Sequence, residues 1–229
     1  MRHTMAVLGG ALLGLGLTTW VGTAHAQEEY VRSAVPAPSD AFELKVGSHY
    51  TQGFGEIAPG KGIPSVAGAG VDVDLAFDYR IDPMVSFGVQ GEYQQFESEQ
   101  NSEARGFTGN IGLTFHGTPN FRGDPWLRLA TGYRLLWSVQ PEGGGPTTLY
   151  HGFELARLML GYDVRVTPDV AIAPAVGAGV DLFLWQDQNG TNSSLSPATV
   201  GMFIFAGLQG RFDAGGVRST PGATVVADR

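Results

Sequence analysis

The 229-residue chain carries 22 acidic and 14 basic residues, which gives a formal net charge of −8 at pH 7. An acidic chain without a basic stripe argues against nucleic-acid binding, because such binding requires cations that neutralise phosphates. The chain has no cysteine, which excludes disulfide bonds, thiolate metal sites and a cysteine nucleophile.

Residues 1–26 have the three regions of a secretory signal peptide. A basic start is followed by an apolar stretch over residues 6–21, and Ala24-His25-Ala26 supplies the small residues before a cut ahead of Gln27. A retained membrane anchor is the alternative, but the apolar stretch is shorter than the roughly 20 residues of a spanning helix. We therefore expect an exported protein in which residues 27–40 form a periplasmic N-terminal leader.

Strand-like stretches with a period of two begin after this leader. In residues 71–81, apolar side chains such as Val73 and Phe77 alternate with polar ones such as Asp72 and Asp78, which places the two sets on opposite faces of one strand. A phase break at residues 151–155 predicts a bulge. The alternating stretches cover residues 42–49, 71–81, 85–94, 107–116, 127–135, 157–165, 172–182 and 201–212.

The connections between these stretches alternate in length. Short ones lie near residues 81–83, 118–120 and 167–169, and longer polar or glycine-rich ones at 53–68, 97–104, 140–148 and 186–196. Outer-membrane barrels have short periplasmic turns and long outer loops. Eight strands of about 10 residues would therefore form an all-β, antiparallel, up-and-down transmembrane barrel with both termini in the periplasm.

On this pattern the sequence resembles the small eight-stranded outer-membrane proteins of the OmpA/OmpX type. The resemblance covers residues 41–214 and rests on strand pattern, turn spacing and the signal peptide, not on a specific motif. It implies an outer-membrane location in a Gram-negative-type bacterium and assembly by the barrel-insertion machinery, which reads a terminal aromatic such as Phe212. The chain departs from the family in continuing past that strand, and we expect residues 215–229 to be a flexible tail.

Aromatic residues fall near both ends of the predicted strands. Such rings form two belts at the interfaces with outer-membrane lipid. The pattern also predicts that Phe96 lies near the belt at the long-loop end. The alternative is a soluble sandwich or lipocalin-like barrel, in which the apolar face would be the interior. The predicted belts contain Tyr50, Tyr79, Tyr93, Trp126, Trp137, Tyr162, Trp185 and Phe212.

Charged residues collect on the opposite, inward face. An eight-stranded barrel has an interior that side chains can fill, and buried charges require partners. We therefore expect an ion-pair network in the lumen, with a narrow path or gate for small ions as the alternative. The predicted network comprises Glu43, Lys45, Asp72, Asp74, Asp78, Arg80, Glu92, Arg128, Arg134, Arg157, Asp163, Arg165, Asp181 and Arg211.

No residue set predicts catalysis or cofactor binding. His49, His116 and His151 lack a nucleophile and carboxylate in the required geometry, so we expect no enzyme. Oxygens of the aspartates at 72, 74 and 78 could bind calcium, but lysine and arginine partners in the same lumen account for them, and no metal is predicted. The sequence favours a structural or surface-interaction protein with an unknown ligand, ahead of a narrow porin-like pore or a soluble periplasmic ligand-binding barrel.

Overall fold

Long antiparallel strands account for most of residues 34–97, 103–139, 147–188 and 190–218, the part of the chain that the computed structural model describes. The predicted signal peptide and half of the leader, residues 27–33, lie outside these ranges, as do residues 219–229 of the tail. The elements are β1 (Ser39–Ala58), β2 (Lys61–Gly62), α1 (Pro64–Ala67), β3 (Ala69–Asp82), β4 (Val85–Glu97), β5 (Glu103–His116), β6 (Gly123–Val139), β7 (Thr148–Arg165), β8 (Val170–Gln188) and β9 (Thr191–Val217).

Eight of these strands close into a barrel. Successive long strands pair antiparallel, and β1 pairs with both β3 and β9. Leu44, for example, lies opposite Phe77 on one side and Phe212 on the other. Closure satisfies the backbone hydrogen bonds between strands, which is the condition for a sheet to cross a bilayer. The prediction of an eight-stranded antiparallel barrel is confirmed.

The outer face of the barrel is apolar and the inner face is largely polar. Leu75, Ile111 and Leu208 are 57%, 63% and 61% exposed, whereas their strand neighbours Asp74 and Asn110 are buried. A soluble barrel would have the reverse arrangement. No helix in the described part of the chain is long and apolar enough to cross a membrane.

Two predicted long loops differ from expectation. In the first, β1 continues to Ala58 and the chain returns through β2 and α1, whose apolar residues are buried in the barrel. In the last, β8 and β9 continue as a hairpin in which Gln188 pairs with Thr191. Gly190 has a φ of +78°, which suits a tight turn, so polar residues extend the strands here instead of forming a loop.

The bulge predicted in β7 is confirmed. The register between β7 and β8 shifts at His151/Gly152 and again at Glu154/Ala156. Leu155 and Ala156 are consequently both exposed, while Glu154 is buried. The bulge therefore turns one additional carboxylate into the barrel.

The end of the leader contacts the short-turn end of the barrel. Ala34 forms an isolated bridge with Phe121, and the backbone amides of Val35 and Ala37 donate to carbonyls of the β5–β6 turn. The barrel strands extend from Ser39 to Val217, slightly beyond the expected bounds of 41 and 214.

Candidate functional site: the charged interior of the barrel

The strand register places the charged side chains in the lumen. Each of the fourteen residues of the expected network is at most 4% exposed. His49, His116, Asp124, Glu154 and Asp213 are buried there as well. Alternation predicts the inward direction of His49, His116 and Asp213, whereas Glu154 required the position of the bulge.

The interior charges form two clusters along the barrel axis. The turn-side cluster lies near the short turns and the loop-side cluster nearer the long loops. The turn-side cluster contains Glu43, Asp78, Asp124, Asp163, Asp213, Lys45, Arg80, Arg128, Arg165, Arg211 and His116. The loop-side cluster contains Asp72, Asp74, Glu92, Glu154, Asp181, Arg134, Arg157 and His49.

The turn-side cluster is balanced, with five carboxylates and five cationic side chains. Asp78 Oδ2 accepts from Lys45 Nζ and Arg128 Nη1, each at 2.6 Å. Lys45 Nζ also lies 3.0 Å from a Glu43 oxygen, and Arg80 donates to the same glutamate. Each of these charges thus has an opposite charge in contact, as buried charges require.

Arginine and aspartate side chains continue this cluster toward the C-terminal strand. Arg165 Nη1 lies 3.0 Å from Asp213 Oδ2, and Arg211 Nε lies 2.9 Å from Asp213 Oδ1. Arg211 also pairs with Asp163. The ion pairs therefore join β7 to β9, and they join both β1 and β6 to β3.

The loop-side cluster has five carboxylates but only two guanidinium groups. Arg157 pairs with Glu92 and with Glu154, the latter at 3.3 Å. Arg134 Nε lies 2.9 Å from Asp181 Oδ1 and its Nη2 lies 3.4 Å from Glu154. Both arginines are thereby engaged with three of the carboxylates, which leaves the aspartates at 72 and 74 to His49.

Two phenylalanine rings on β9 pack against the arginines of the loop-side cluster. The Arg134 and Arg157 guanidiniums lie 4.3 Å and 4.1 Å from the ring centroids of Phe203 and Phe205. Such cation–π contacts favour desolvated arginine. They hold the two cations of the loop-side cluster against the wall formed by β9.

The β1–β3 connection forms an apolar plug at the loop end of the lumen. Its members Ile57, Ile63 and Val66 are at most 2% exposed, and they pack with inward residues of the wall, including Phe96 and Phe203. This connection was expected to be a polar, glycine-rich loop, and the plug was not predicted. The apolar residues at 57–58, 63 and 66–67 were the available signal.

Two aromatic residues predicted near the lipid interfaces lie inside the barrel instead. Trp126 is 6% exposed and donates from Nε1 to Asp163 at 3.1 Å. Phe96, on the inner wall, is fully buried against the plug. Both share the strand face of inward polar residues, for Trp126 that of Arg128, so the period of two contradicts an outward placement.

The other seven predicted belt residues lie on the outer face. Tyr50, Tyr93, Tyr162 and Phe212 are between 47% and 57% exposed. Tyr79, Trp137 and Trp185 are partly exposed in the same outward register.

His151 lies outside the lumen, in contrast to the other two predicted histidines. Its ring stacks on Trp185 with centroids 5.5 Å apart, and its Nδ1 is hydrogen-bonded to the Tyr133 hydroxyl. The structure therefore does not bring the three histidines together.

Two groups of buried side chains have the composition of metal ligands. They are His49 with Asp72 and Asp74, and His116 with Asp124 and Asp163, and within each group the ligand atoms lie within 4.8 Å of one another. The first group belongs to the loop-side cluster and the second to the turn-side cluster.

Comparisons with known proteins find similarity in solved structures alone. No protein-family model matches the chain, and no curated protein matches it. The crystal structure of Neisserial surface protein A is 13% identical with a TM-score of 0.48, over 73% of this chain and 95% of that one. The outer membrane protein OprG from Pseudomonas aeruginosa is 9% identical with a TM-score of 0.48, over 78% and 99%.

The outer membrane protein AlkL in lipid bilayers is 9% identical with a TM-score of 0.47, over 91% of this chain and 100% of that one. These likenesses concern the fold alone, and the strand pairing of the chain establishes that fold independently. The chain is therefore a small, closed, eight-stranded antiparallel β-barrel with an apolar exterior and a charged interior.

Proposed function

We propose that this protein is an exported, non-conducting barrel of the outer membrane, with a structural or surface-interaction role at the loop end. The observation that carries the proposal is the obstructed lumen. Ion pairs cross it near the short turns, and the apolar plug fills its loop end. A continuous aqueous path would require both to move, and separating buried ion pairs is costly.

The apolar outer face supports the membrane location. A ring of exposed leucine, isoleucine, valine and phenylalanine side chains surrounds the barrel, an arrangement that is stable in lipid and unfavourable in water. A soluble ligand-binding barrel would instead present its apolar face to the interior. Outer-membrane lipid is accordingly the first partner we infer.

The β8–β9 hairpin supports a role at the surface. Residues 191–198 are almost all exposed and include five Ser, Thr or Asn side chains. Residues 191–194 pair with β8 beyond the level at which β1 ends its pairing with β9 at Gly55↔Gly201. A surface ligand is not identified by these residues. The proposal includes no enzymatic activity, because His49 and His116 are buried in the lumen against carboxylates.

Gel mobility of the detergent-extracted protein tests the barrel and its location. Closed barrels resist sodium dodecyl sulfate until heated, because every strand has two neighbours. We expect the unboiled protein from the outer-membrane fraction to migrate differently from the boiled protein, with an N-terminus at Gln27. Recovery of the folded chain in the soluble periplasm would contradict the proposal.

A narrow pore is the second candidate, and one observation favours it. Asn110 on β5 has no hydrogen-bond partner for either amide atom, and the amide oxygen of Gln90, which lies opposite it on β4, has none either. Thr108 on the same inner wall has an unpartnered hydroxyl. Such a strip requires water, and water along the β4–β5 wall would be the start of a polar path.

Planar-bilayer recording separates the two candidates. We expect no single-channel steps from the reconstituted wild-type barrel. Discrete steps that persist when protein concentration is reduced would establish the pore and reject the non-conducting barrel.

A further inference from the structure

The loop-side cluster contains a group of buried ligand atoms that its neighbours do not satisfy. We propose that His49, Asp72 and Asp74 form a structural site for a divalent transition-metal cation, with Zn²⁺ as the best match. The proposal does not depend on the surface role or on whether the barrel conducts. It departs from the expectation that lysine and arginine neutralise these aspartates, since those cations contact other carboxylates.

The strand register assembles the three side chains. His49 on β1 lies directly opposite Asp72 on β3, and Asp74 is two residues away on the same inner face. His49 Nδ1 lies 2.7 Å from Asp72 Oδ1 and 3.3 Å from Asp74 Oδ2. Ligand atoms bound tetrahedrally to zinc at its usual bond lengths stand about 3.3 Å apart, so small movements would admit the ion.

The backbone leaves space for this group. Gly47 precedes His49 by two residues on the same face, and a Cβ at Gly47 would lie 2.1 Å from Asp74 Oδ2 and 2.9 Å from His49 Cε1. A side chain at this position would therefore require the carboxylate or the imidazole to shift.

Several atoms at the group have no partner. Asp72 Oδ2 and Asp74 Oδ2 are buried without a hydrogen bond, and Asp74 Oδ1 has only a 3.5 Å contact from Gln209. His49 Nε2, the ring nitrogen that faces away from the two carboxylates, is unpartnered as well. The Gln90 side chain is within hydrogen-bonding reach of the Asp74 carboxylate, and its amide oxygen has no partner. Gln90 is 3% exposed and offers a fourth oxygen ligand.

The second group, His116 with Asp124 and Asp163, serves as the reference, because its ligand atoms have hydrogen-bond or ion-pair partners within the protein. His116 Nδ1 is hydrogen-bonded to Asp124 at 2.7 Å, and its Nε2 lies 3.0 Å from Arg80 Nη2. The backbone amide of Thr118 donates to Asp124 at 2.9 Å, and Asp163 accepts from Trp126 and an arginine. That group has neither free ligand atoms nor excess charge.

Charge also favours a cation at the first group. Asp74 lies directly opposite Glu92 on β4, and like charges at facing positions destabilise a sheet. Arg157 contacts Glu92 and Glu154, so its charge neutralises these two glutamates and not the aspartates at 72 and 74. A divalent ion would offset most of the remaining negative charge, which is otherwise costly to bury.

The donor set selects the class of metal. One imidazole nitrogen with two carboxylate oxygens, completed by an amide oxygen or water, suits zinc. Calcium and magnesium prefer six or more oxygen ligands. The ion would join β1 to β3 beneath the plug, and no reaction is assigned to it.

The experiment refolds the full chain, without a histidine tag, into detergent with added Zn²⁺, followed by washing with a weak chelator. Zinc in the heat-shiftable barrel is then measured by mass spectrometry. We expect about one zinc ion per chain, with a thermal midpoint that is higher than in the chelator-treated protein. His49→Gln and Asp74→Asn should retain at least about tenfold less zinc, because each removes a ligand.

His116→Gln is the matched control and should retain zinc at the wild-type level. If His49→Gln does not fold, Asp74→Asn still tests the proposal. We expect the Asp74→Asn barrel to fold, because the substitution reduces the excess negative charge of the loop-side cluster. A folded wild-type barrel without zinc would overturn the proposal. Equal zinc in wild type and Asp74→Asn, or loss of zinc from His116→Gln, would also overturn it.

Discussion

The two halves of the lumen contain the same number of carboxylates and one histidine each, but they differ in how those groups are neutralised. The turn-side cluster has five cationic side chains, and its histidine is hydrogen-bonded at both ring nitrogens. The loop-side cluster has two arginines, both committed to three of its five carboxylates. Residue composition on an inward face therefore does not determine whether buried charges are satisfied, because strand register and side-chain reach decide which groups meet.

Neutralising one aspartate in each cluster should give the largest contrast. Asp78→Asn removes the common partner of Lys45 and Arg128 and should lower the free energy of unfolding by about 3–5 kcal/mol. Asp74→Asn, without metal, should change it by less than about 1 kcal/mol, because a carboxylate in excess is lost. Urea unfolding in detergent with a chelator measures both. Equal destabilisation would remove the distinction between the clusters.

The plug is the next region to test. Ile63→Ala should destabilise the barrel by about 2–4 kcal/mol, because it leaves a cavity among buried apolar side chains. Trypsin should then cut after Lys61 more rapidly than in wild type. Leu75→Ala, on the lipid-facing side, is the control, and equal protease sensitivity in the two variants would contradict a plug held by Ile63.

Two glycines test the close packing of the loop-side cluster. Gly47→Ala should cost about 1–3 kcal/mol, since its Cβ would overlap the Asp74 carboxylate. Gly210→Ala should have little effect, because the nearest atom to its Cβ is 3.8 Å away. Denaturant midpoints compare them, and a Gly47→Ala barrel as stable as Gly210→Ala would show that Asp74 has another position.

The smallest effect should come from the inward tryptophan of the turn-side cluster. Trp126→Phe removes the hydrogen bond to Asp163 and should cost about 1 kcal/mol, whereas Trp137→Phe on the outer face should cost less. Quenchers attached to lipid tails provide an independent measurement. They should quench Trp137 and leave Trp126 emission nearly unchanged, and strong quenching of Trp126 would return it to the lipid interface.

The period of two was sufficient to predict the barrel and the inward direction of most charged residues. It also placed Trp126 beside Arg128, so the expectation of an interfacial ring there was wrong by the same rule. The plug was not predicted, because Ile57, Ile63 and Val66 show no strand periodicity. They are buried only because the connection folds into the loop end of the barrel, and the sequence pattern does not show that.

Specific ion pairs could not be predicted from alternation. Arg134 and Asp181 are 47 positions apart in the chain, and their contact depends on the register of β6, β7 and β8, including the bulge at Glu154. Alternation shows which face a side chain occupies, whereas the height of that side chain in the barrel depends on every intervening turn. The unequal neutralisation of the two clusters is a consequence of those heights.

The upper part of β9 has one feature that bears on how barrels behave when crowded together. Residues 191–194 and 199–200 pair with β8, whereas the described pairing of β1 with β9 stops at Gly201, so this stretch presents a sheet edge. The register between β8 and β9 is interrupted between Phe183 and Trp185 of β8, opposite a segment of β9 that contains Pro197. A bulge and a proline both discourage an incoming strand, and they would protect neighbouring copies from edge-to-edge aggregation.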